Sequence, residues 1–535
     1  MKRRFSEFFT QDVAIKSCVI SKEGGGDPLI TGLEYDSRNV KEGNLFFAMH
    51  GLHTDGSLFI DDAISKGAKV IVHQIDIGDD FKKDNDIVYI RVHDSRFAMS
   101  PISAAFYNYP SSRLLVTGVT GTEGKSTTVY FIWQMLTMLG KKAGFFSTAQ
   151  QCFGADVLRN SEHQTTPEAP VVQRFLREMA DNGCEYAVVE SSSHGLSKIT
   201  NRLGDVDFCS AVLTTLTSDH LEFHGTWEQY REDKANLFRS LDNYVPSFDL
   251  ESNNKHWSAY TEAFGVINGD DRNARFFAKA TSCKTFTFSS SGRDGDIVLE
   301  AIKSNSYGNW YTVFFPALKE RMELRDRLPG AFNANNVLAA LLVVSNLLKL
   351  PVREIAPLVK KLKPVRGRMT TILKGQNFEV VVDYAHTPSS YQAIFPSLHE
   401  RLMNKGGRII SVFGSAGERD TQKRPEQGKI AANYSDIIVI TDEDPRGEDP
   451  MSIIEEVAAG VAESERQDCF IRNETLFLIP DRPAAIRKAL SLAEEKDLVI
   501  ILGKGHENSI IYADRVMPYD EITEVEKALG EMGYR

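Results

Sequence analysis

Short apolar runs alternate with amphipathic stretches along most of the chain, and this alternation predicts an α/β protein. A strand pattern at 114–117 runs into glycines and then into a helix with apolar periodicity from 126 to about 139. A helix at 168–181 and a strand at 186–189 follow. Beyond Pro364 the predicted strands are 378–382, 408–413, 436–440 and 497–502, and the predicted helices are 389–403, 422–433 and 451–463. Such alternation is typical of doubly wound parallel sheets.

Changes in sequence pattern divide the chain into three predicted domains. The first stretch combines short apolar runs at 45–49, 70–72 and 87–92 with glycine-containing turns, and it ends in a predicted linker at 109–112. We therefore predict domains at 1–111, 112–364 and 365–535, the last two of the parallel α/β type. Residues 243–262 have weak periodicity, and we predict a surface excursion there.

Composition and charge exclude several classes of protein. Of the 535 residues, 42% are hydrophobic and 25% are charged, which is ordinary for a soluble globular protein. The net charge of −11 argues against a general nucleic-acid binder. The longest apolar run, at 337–344, is too short to span a membrane, and the N-terminus lacks the apolar core of a secretory signal. We expect a cytoplasmic protein without membrane insertion.

The six cysteines lie far apart in the sequence and include no C-x-x-C pair. This spacing does not support a disulfide scaffold or a zinc ribbon. We predict that the cysteines are reduced and that most of them lie in the core.

A glycine-rich turn between the first strand and helix of the second domain carries the strongest chemical signal. It reads Gly-Val-Thr-Gly-Thr-Glu-Gly-Lys-Ser at 118–126. Glycines let backbone N–H groups surround a polyphosphate, Lys125 can reach the terminal phosphates, and the Ser126 hydroxyl can bind Mg²⁺. The spacing differs from the common G-x-x-x-x-G-K-[ST], but a plain structural turn would not require Lys-Ser after its last glycine. We predict ATP or GTP binding, and a guanine-reading N-K-x-D motif has little support because the Asn-Lys pair at 254–255 is followed by His-Trp.

Two further segments carry candidate metal ligands. Glu190 ends a predicted strand, and His220 follows another apolar segment. A carboxylate and an imidazole at the rim of an α/β sheet suit a metal site. Each residue alone is better explained as a capping or hydrogen-bonded surface group, whereas the nearby phosphate loop favours the metal site.

Taken together, these motifs resemble the Mur ligases and, within that family, the UDP-N-acetylmuramoyl-tripeptide synthetases. The resemblance runs through nearly the whole chain. The matching segments are 36–38, 43–48, 51, 55–56, the phosphate loop, 165–167, 190–196, 219–220, 234–238, 330–333, 367–369, 383–388, 420, 423–425, 442–446 and 503–507. Each segment alone is a weak signal, but a dozen in the same order are specific.

The resemblance implies a three-domain ligase. The first domain would hold a uridine nucleotide, the central domain ATP, and the third, Rossmann-like domain an incoming amino acid. ATP would phosphorylate a carboxylate of UDP-N-acetylmuramoyl-L-alanyl-D-glutamate, and a diamino acid would attack the acyl phosphate to form an amide in peptidoglycan precursor synthesis. The implied cofactor is Mg²⁺, and the implied assembly is a monomer.

The resemblance also implies roles for individual residues. The implied catalytic residues are Lys125, Glu190, His220 and Lys234, with Lys234 carbamylated, and the implied metal ligands are Ser126, Glu190, His220 and Lys234. The implied ATP-binding residues are Gly121, Thr122, Glu123, Gly124, Lys125, Ser126, Thr127, Asn333, Arg368, Asp383 and His386. The implied UDP-sugar–peptide site contains Tyr35, Ser37, Leu52, His53, Thr54, Thr165, Thr166, Ser193 and Arg202. The implied amino-acid site contains Arg419, Glu443, Asp444, Pro445, Arg446, Gly503 and Glu507.

The identity of the diamino acid depends on a departure from the family pattern. Members that add meso-diaminopimelate carry Asp-Asn-Pro-Arg, whereas this chain reads Glu-Asp-Pro-Arg at 443–446. Asp444 replaces an amide that can donate with a carboxylate that only accepts. We expect lysine or ornithine, with meso-diaminopimelate as the alternative, because Arg446 still suits a carboxylate unless Asp444 itself occupies it.

Two other residues depart from the family pattern, and one alternative class of function remains open. Glu123 replaces the usual Asn of the phosphate loop, and Thr370 replaces a common Glu. Folylpolyglutamate synthetases, which are related, would lack the uridine-binding segments at 36–38 and 55–56. A nucleotide-regulated binding protein without ligase turnover is the alternative from a different class.

Overall fold

The computed structural model describes residues 1–9, 12–51, 55–76, 86–160, 162, 164–217, 221–245, 262–305, 308–403 and 406–535. The chain divides into two compact units. The first comprises 1–289, 293–297 and 338–352, and the second comprises 290–292, 298–337 and 353–535. Both units are α/β, as the sequence predicts. The domain boundaries proposed from the sequence, at 111 and 364, stay predictions.

The N-terminal part of the first unit is built on a five-stranded sheet. Its strands are β2 (Val19–Glu23), β4 (Gly32–Glu34), β5 (Asn44–Phe47), β6 (Val70–His73) and β7 (Val88–Val92), in the order β2-β7-β6-β5-β4. Only β2 and β7 pair antiparallel. The flanking elements are β1 (Arg3–Arg4), β3 (Leu29–Ile30), α1 (Phe5–Phe9), α2 (Val13–Cys18), α3 (Ile60–Ser65) and α4 (Ser95–Phe106).

The remainder of the first unit contains a mostly parallel sheet. Its strands are β8 (Leu115–Thr120), β9 (Ala143–Phe146), β10 (Gln150–Cys152), β11 (Leu158–Arg159), β12 (Tyr186–Glu190), β13 (Phe208–Leu213), β14 (Phe264–Asn268) and β15 (Lys284–Ser289). They lie in the order β11-β10-β9-β12-β8-β13-β14-β15, and all six strands from β9 to β15 run parallel. The helices are α5 (Lys125–Met138), α6 (Ala169–Asp181), α7 (Ser193–Leu196), α8 (Leu221–His224), α9 (Trp227–Ser240) and α10 (Ala274–Ala278). The phosphate loop therefore follows the central strand, with β12 and β13 on either side.

The second unit contains an antiparallel ribbon and a second parallel sheet. The ribbon strands are β16 (Ile297–Asn305), β17 (Gly308–Phe315) and β18 (Glu320–Arg325). The sheet strands are β19 (Thr370–Thr371), β20 (Glu379–Asp383), β21 (Ile409–Phe413), β22 (Ile437–Ile440), β23 (Leu476–Leu478) and β24 (Leu498–Leu502), in the order β19-β20-β24-β21-β22-β23. All pairs from β20 to β23 are parallel. A small hairpin, β25 (Ser509–Ile511) with β26 (Val516–Pro518), follows.

Helices cover both faces of this second sheet. They are α13 (Pro388–Met403), α14 (Lys423–Tyr434), α15 (Pro450–Ala462), α16 (Arg482–Leu492) and α17 (Glu521–Glu531), preceded by α11 (Asn333–Leu348) and α12 (Val352–Ile355). One apolar core packs α13, α14 and α15 against one face, and another packs α16 and α17 against the other. The predicted strands and helices of the third domain are therefore confirmed to within about two residues.

Two predictions about other segments have different outcomes. The predicted linker at 109–112 falls in a 3-10 helix, Pro110–Arg113, in which Pro110 and Ser111 are buried and Ser111 Oγ contacts Asp207 Oδ2 at 3.1 Å. This segment is therefore packed against the central sheet. Most of the predicted excursion at 243–262 lies outside the described residues.

The cysteine prediction is confirmed, because all six are free thiols and four of them are buried. No single helix among the described residues is long and apolar enough to cross a membrane. A bent pair of helices at 333–348 and 352–361 passes the same criteria of length and composition when the two are taken together.

Candidate active site

The glycine-rich turn joins β8 to α5, as the sequence predicts. Gly121 has a φ of 146°, and a Cβ there would lie 1.9 Å from Thr214 Oγ1, so a side chain does not fit. Gly124, with a φ of 82°, caps the N-terminus of α5, which begins at Lys125 and Ser126. The turn thus places the first N–H groups of a 14-residue helix beside any anion bound in the loop.

Hydrogen bonds fix the conformation of the loop. The Thr122 N–H donates to the Thr215 carbonyl at 2.6 Å, and the Thr214 hydroxyl donates to the Glu123 carbonyl at 2.6 Å. The Lys125 ammonium donates to the Thr122 carbonyl at 2.8 Å. The loop is therefore held against the segment that follows β13, and Lys125 lies folded over the loop whose phosphates it is predicted to contact.

Lys234 lies beneath the same loop. Its Nζ donates to the Gly121 carbonyl at 2.7 Å and lies 4.6 Å from the ring centre of Tyr230, and the residue is only 2% exposed. Tyr230 in turn contacts the Thr122 hydroxyl at 2.9 Å. Helix α9 therefore places Lys234 directly against the phosphate loop.

Ser126 and Glu190 form the candidate metal site. The Ser126 hydroxyl donates to Glu190 Oε2 at 2.8 Å, and the Thr148 N–H donates to the same oxygen at 2.8 Å. Glu190 is 1% exposed, so its carboxylate is buried beside the first turn of α5. A hydroxyl and a carboxylate are the hard oxygen ligands that Mg²⁺ prefers, so the two residues fit a magnesium ion.

Of the four predicted metal ligands, one, the histidine, is not placed. His220 lies outside the described residues, and within the described ranges no group of three or more His, Cys, Asp and Glu side chains could hold a metal.

A polar cluster at the end of β12 gathers the residues predicted to bind the dipeptide. The Thr166 hydroxyl donates to the Glu190 carbonyl at 2.9 Å, and Arg202 donates to the Thr166 carbonyl at 2.8 Å and to Glu168 Oε1 at 2.8 Å. Arg202 Nε and the Ser193 hydroxyl are buried without a hydrogen-bond partner. The structure thus brings together Thr165, Thr166, Ser193 and Arg202.

A pocket of about 520 Å³ marks the candidate uridine site. It is lined by Tyr35, Asp36, Ser37, Arg38, Phe46, Met49, Gly51, Gly56, Phe59 and Arg96. Tyr35 and Ser37, two of the residues predicted for this site, line the pocket, whereas Leu52, His53 and Thr54 lie outside the described residues. Arg96 Nη1 also contacts Glu168 Oε1 at 3.3 Å, so it connects this pocket to the dipeptide cluster.

The remaining predicted ATP-binding residues lie in the second unit. Asp383 ends β20 and accepts N–H groups of Met369 and Ala385 at 2.6 and 2.7 Å. Burial raises the pKa of Asp383, and the nearby Arg368 guanidinium acts in the opposite direction. Arg368 stacks 4.5 Å over the ring of Tyr384.

The same region positions His386 and Asn333. The His386 Nδ1 lies 3.0 Å from the Tyr384 carbonyl, and the Asn333 side chain donates to the Pro329 carbonyl at 2.7 Å. The pKa of His506, whose ring contacts Tyr384, is held well below its usual range by burial and by nearby cations. This imidazole is therefore neutral at pH 7.

The residues predicted to bind the amino acid lie on loops after three strands of the second sheet. Pairing of Asp444 with Arg446 was left open by the sequence, and the structure shows that Asp444 has other partners. Asp444 Oδ1 instead accepts from the Lys504 ammonium at 2.8 Å and from the Ile511 N–H at 2.9 Å. Lys504, 1% exposed, also lies 2.5 Å from Glu507 Oε2. Asp444 and Glu507 therefore share the Lys504 ammonium, and Asp444 leaves Arg446 available.

The neighbouring residues complete this loop cluster. Glu443 is buried, its Oε2 has no hydrogen-bond partner, and burial raises its pKa to about 7. Arg446 has a φ of 56° and a buried Nε without a partner. Pro445 and Gly503 are buried beside them, whereas Arg419 is exposed.

Sequence reasoning missed Lys504 and the Arg96–Glu168 pair. Lys504 stands inside the matched segment at 503–507, but its partner Asp444 is 60 residues away. Arg96 and Glu168 are separated by 72 residues. No local pattern connects residues so far apart, although the Lys between two matched positions was a usable signal.

The fold and these sites define an ATP-using ligase built on two parallel α/β sheets. Models of Mur ligase domains match three parts of the chain: the Mur ligase family catalytic domain at 29–107, the Mur ligase middle domain at 119–344, and the Mur ligase glutamate ligase domain at 367–505. The chain belongs to the Mur ligase family, and it has the three-domain architecture of that family.

Similar proteins cover nearly the whole chain. A UDP-N-acetylmuramyl-tripeptide synthetase of Treponema denticola is 47% identical over 530 residues, with 96% of each chain covered. A UDP-N-acetylmuramoyl-L-alanyl-D-glutamate–2,6-diaminopimelate ligase of Clostridium tetani is 34% identical and covers 94% of this chain and 95% of its own.

Solved structures show the same architecture. A structure of a UDP-N-acetylmuramoyl-L-alanyl-D-glutamate–2,6-diaminopimelate ligase matches with a TM-score of 0.61 and 25% identity, covering 100% of both chains. The MurF ligase of Thermotoga maritima in complex with ADP matches with a TM-score of 0.60 and 19% identity, covering 94% of this chain and 97% of its own, and supports the fold alone.

Proposed function

We propose that this protein adds a diamino acid to UDP-N-acetylmuramoyl-L-alanyl-D-glutamate, with ATP as the energy source, in peptidoglycan precursor synthesis. The observation that carries the proposal is the buried Ser126–Glu190 pair, which lies between the phosphate loop and the Thr166–Arg202 cluster. A phosphate-binding loop and a candidate carboxylate-binding cluster therefore meet at one point. Phosphoryl transfer from ATP to a substrate carboxylate requires this neighbourhood.

The residues of this site have different roles in the proposed first step, which is phosphorylation of the substrate carboxylate. Lys125 and the N–H groups at the start of α5 stabilise charge on the transferring phosphoryl group. Ser126 and Glu190 would hold Mg²⁺, which when bound neutralises phosphate charge. Ser193 and Arg202 have buried, unpartnered donors that suit the acceptor carboxylate. No protein nucleophile is needed, because the substrate carboxylate attacks the γ-phosphorus.

Lys234 is proposed to be carbamylated. Its Nζ lies against the Gly121 carbonyl beneath the loop, where a carbamate would add an anionic oxygen ligand near the candidate metal site. We expect Lys234→Ala to be nearly inactive and partly rescued by small carboxylic acids. A crystal structure or intact mass that shows a free amine in the active, metal-loaded enzyme would refute the modification.

The proposed amine substrate is lysine or ornithine. The Lys504 ammonium is shared by Asp444 and Glu507, so two carboxylates have one close cation between them. The excess negative charge attracts a distal ammonium and repels a distal carboxylate. Arg446, whose Nε is unpartnered, favours meso-diaminopimelate instead, as do the names of the relatives at 34% identity.

Competition among the three amines at equal concentration tests this preference. We expect Asp444→Asn to shift selectivity towards meso-diaminopimelate, because it removes a negative charge beside the shared ammonium. The exposed Asp468→Asn is the control and should leave selectivity unchanged. A wild-type preference for meso-diaminopimelate would show that Arg446 dominates this pocket.

Phosphate release tests the proposed function itself. A ligase of this type should release phosphate from ATP only when both the UDP-linked dipeptide and an amine are present, whereas a nucleotide-regulated binding protein would need neither. We further propose that the enzyme works as a cytoplasmic monomer. Sedimentation of the purified protein would test the assembly state.

A further inference from the structure

A fully buried arginine connects the two loops that carry most of the candidate amino-acid site. Arg482, at the first position of α16, is 0% exposed. Its Nη1 donates to the Asp442 carbonyl at 2.8 Å, and its Nη2 donates to the Leu502 carbonyl at 2.7 Å. These carbonyls directly precede Glu443 and Gly503, the first predicted amino-acid-binding residue of each loop.

The two loops share no backbone hydrogen bonds of the sheet at this end, and the Lys504–Asp444 ion pair is a second side-chain contact between them. They leave β22 and β24, which are separated by β21. Strands two positions apart lie about 9.6 Å from each other and share no ladder hydrogen bonds. The Arg482 guanidinium bridges the gap across the end of β21 through the backbone where the loops begin, whereas Lys504 and Asp444 join the loops through side chains.

The guanidinium is itself held in place by an anchor on α17. Glu521, also 0% exposed, accepts from Arg482 Nε at 2.9 Å and from Nη2 at 2.5 Å, and the Tyr519 hydroxyl donates to Glu521 as well. This bidentate pairing fixes the plane of the guanidinium. Its remaining donors then point at the two carbonyls.

We propose that Arg482 is a positioning residue for the amino-acid substrate. It holds the 443–446 loop and the 503–507 loop at the separation that the substrate requires, without contacting the substrate itself. The inference rests on the proposed function, which places the amino acid between these loops.

Replacement by lysine tests the proposal. Lysine keeps the charge, but its point-like ammonium cannot reproduce the fork that spans two carbonyls and a carboxylate. We expect Arg482→Lys to raise the KM for the amine by about tenfold or more, because small misplacements of reacting groups are costly. The KM for ATP and the KM for the UDP-linked dipeptide should stay within about twofold of wild type.

Arg487→Lys is the matched control. Arg487 lies on the same helix and makes the same kind of pairing with α17, through Glu524 and Glu531, but it is partly exposed and does not contact the strand ends. It should leave all three KM values unchanged. If Arg482→Lys does not fold, Glu521→Gln keeps the arginine but weakens its anchor, and it should raise the KM for the amine in the same selective way.

The outcomes separate this inference from the proposed function. A wild-type enzyme without amine-dependent phosphate release would overturn both. A normal wild-type enzyme whose folded Arg482→Lys or Glu521→Gln variant has an unchanged KM for the amine, or raises all three KM values equally, would overturn the positioning role alone.

Discussion

At the scale of single residues, the phosphate-loop assignment is tested most directly at Lys125. Its ammonium is held over the loop by the Thr122 carbonyl. We expect Lys125→Ala to lower turnover by about 10²-fold or more, because it removes a cation from the transferring phosphoryl group. Folding should be retained, since the side chain is only half-buried.

Steady-state kinetics with a thermal melt checks this expectation. Lys142→Ala, an exposed lysine shortly after the same helix, is the control and should keep full activity. Near-normal amide formation by a folded Lys125→Ala protein would remove Lys125 from the catalytic assignment.

The raised pKa of Glu443 predicts how the free energy of unfolding depends on pH. Burial raises its pKa from 4.5 to about 7, so between these values the unfolded chain has lost this proton while the folded protein keeps it. The free energy of unfolding should therefore fall as the pH rises through this window, by about 3 kcal/mol from this group. Above about pH 8 its contribution should be constant.

Urea unfolding of wild type and Glu443→Gln at pH 5 and pH 8 isolates this contribution. The variant should lose less stability than wild type between the two pH values, while the exposed Glu465→Gln should behave like wild type. Equal losses in wild type and Glu443→Gln would show that Glu443 ionises normally in the fold.

At the scale of elements, α14 and α15 pack closely through glycine. A Cβ at Gly460 would lie 1.8 Å from the Pro425 carbonyl oxygen, and a Cβ at Gly428 would lie 2.0 Å from the Val457 carbonyl oxygen. We expect Gly460→Ala to destabilise the protein by about 1–3 kcal/mol or more, since backbone atoms must move apart. Chemical denaturation measures the loss.

For Gly530 in α17 we expect alanine to change stability in the opposite direction. Apart from its chain neighbours and the backbone of its own helix, no atom lies within 4 Å of a Cβ added there. Gly530→Ala should therefore stabilise the protein by up to about 1 kcal/mol through helix propensity. If both alanine variants changed stability by the same amount, close packing of α14 and α15 would not explain the Gly460 result.

Elements were more predictable than contacts, and the exceptions have physical causes. The strand predicted at 114–117 continues to Thr120, because Gly118, normally unfavourable in a strand, lies where a Cβ would be 2.4 Å from Leu237 Cδ1. The packing of the predicted linker could not be seen in the sequence for a similar reason, since burial of Pro110 and Ser111 depends on a distant part of the chain.

The candidate site was predictable where its residues stand in one motif. The phosphate loop, with Gly121 to Ser126, follows from local sequence because one strand and one helix position it. The Lys504–Asp444 pair and the Arg482 bridge did not follow, because each joins segments that only the folded sheet brings together. The charge balance of such a pocket can therefore be worked out only from the folded structure.

At the scale of the whole molecule, the central claim is that three substrates are joined in one ATP-driven ligation. The chain matches a tripeptide synthetase over 96% of its length. Each part of the proposed reaction has a candidate site in the described residues: the pocket near Ser37, the phosphate loop, the Thr166–Arg202 cluster and the loops around Asp444.

Mass spectrometry of the nucleotide product tests this claim most directly. The purified protein would be given UDP-N-acetylmuramoyl-L-alanyl-D-glutamate, ATP, Mg²⁺ and one amine at a time. We predict a nucleotide product heavier by one lysine or ornithine residue, with one ADP and one phosphate formed for each product molecule. The absence of such a product with lysine, ornithine and meso-diaminopimelate alike, or ATP hydrolysis that needs neither the dipeptide nor the amine, would contradict the proposed ligase function.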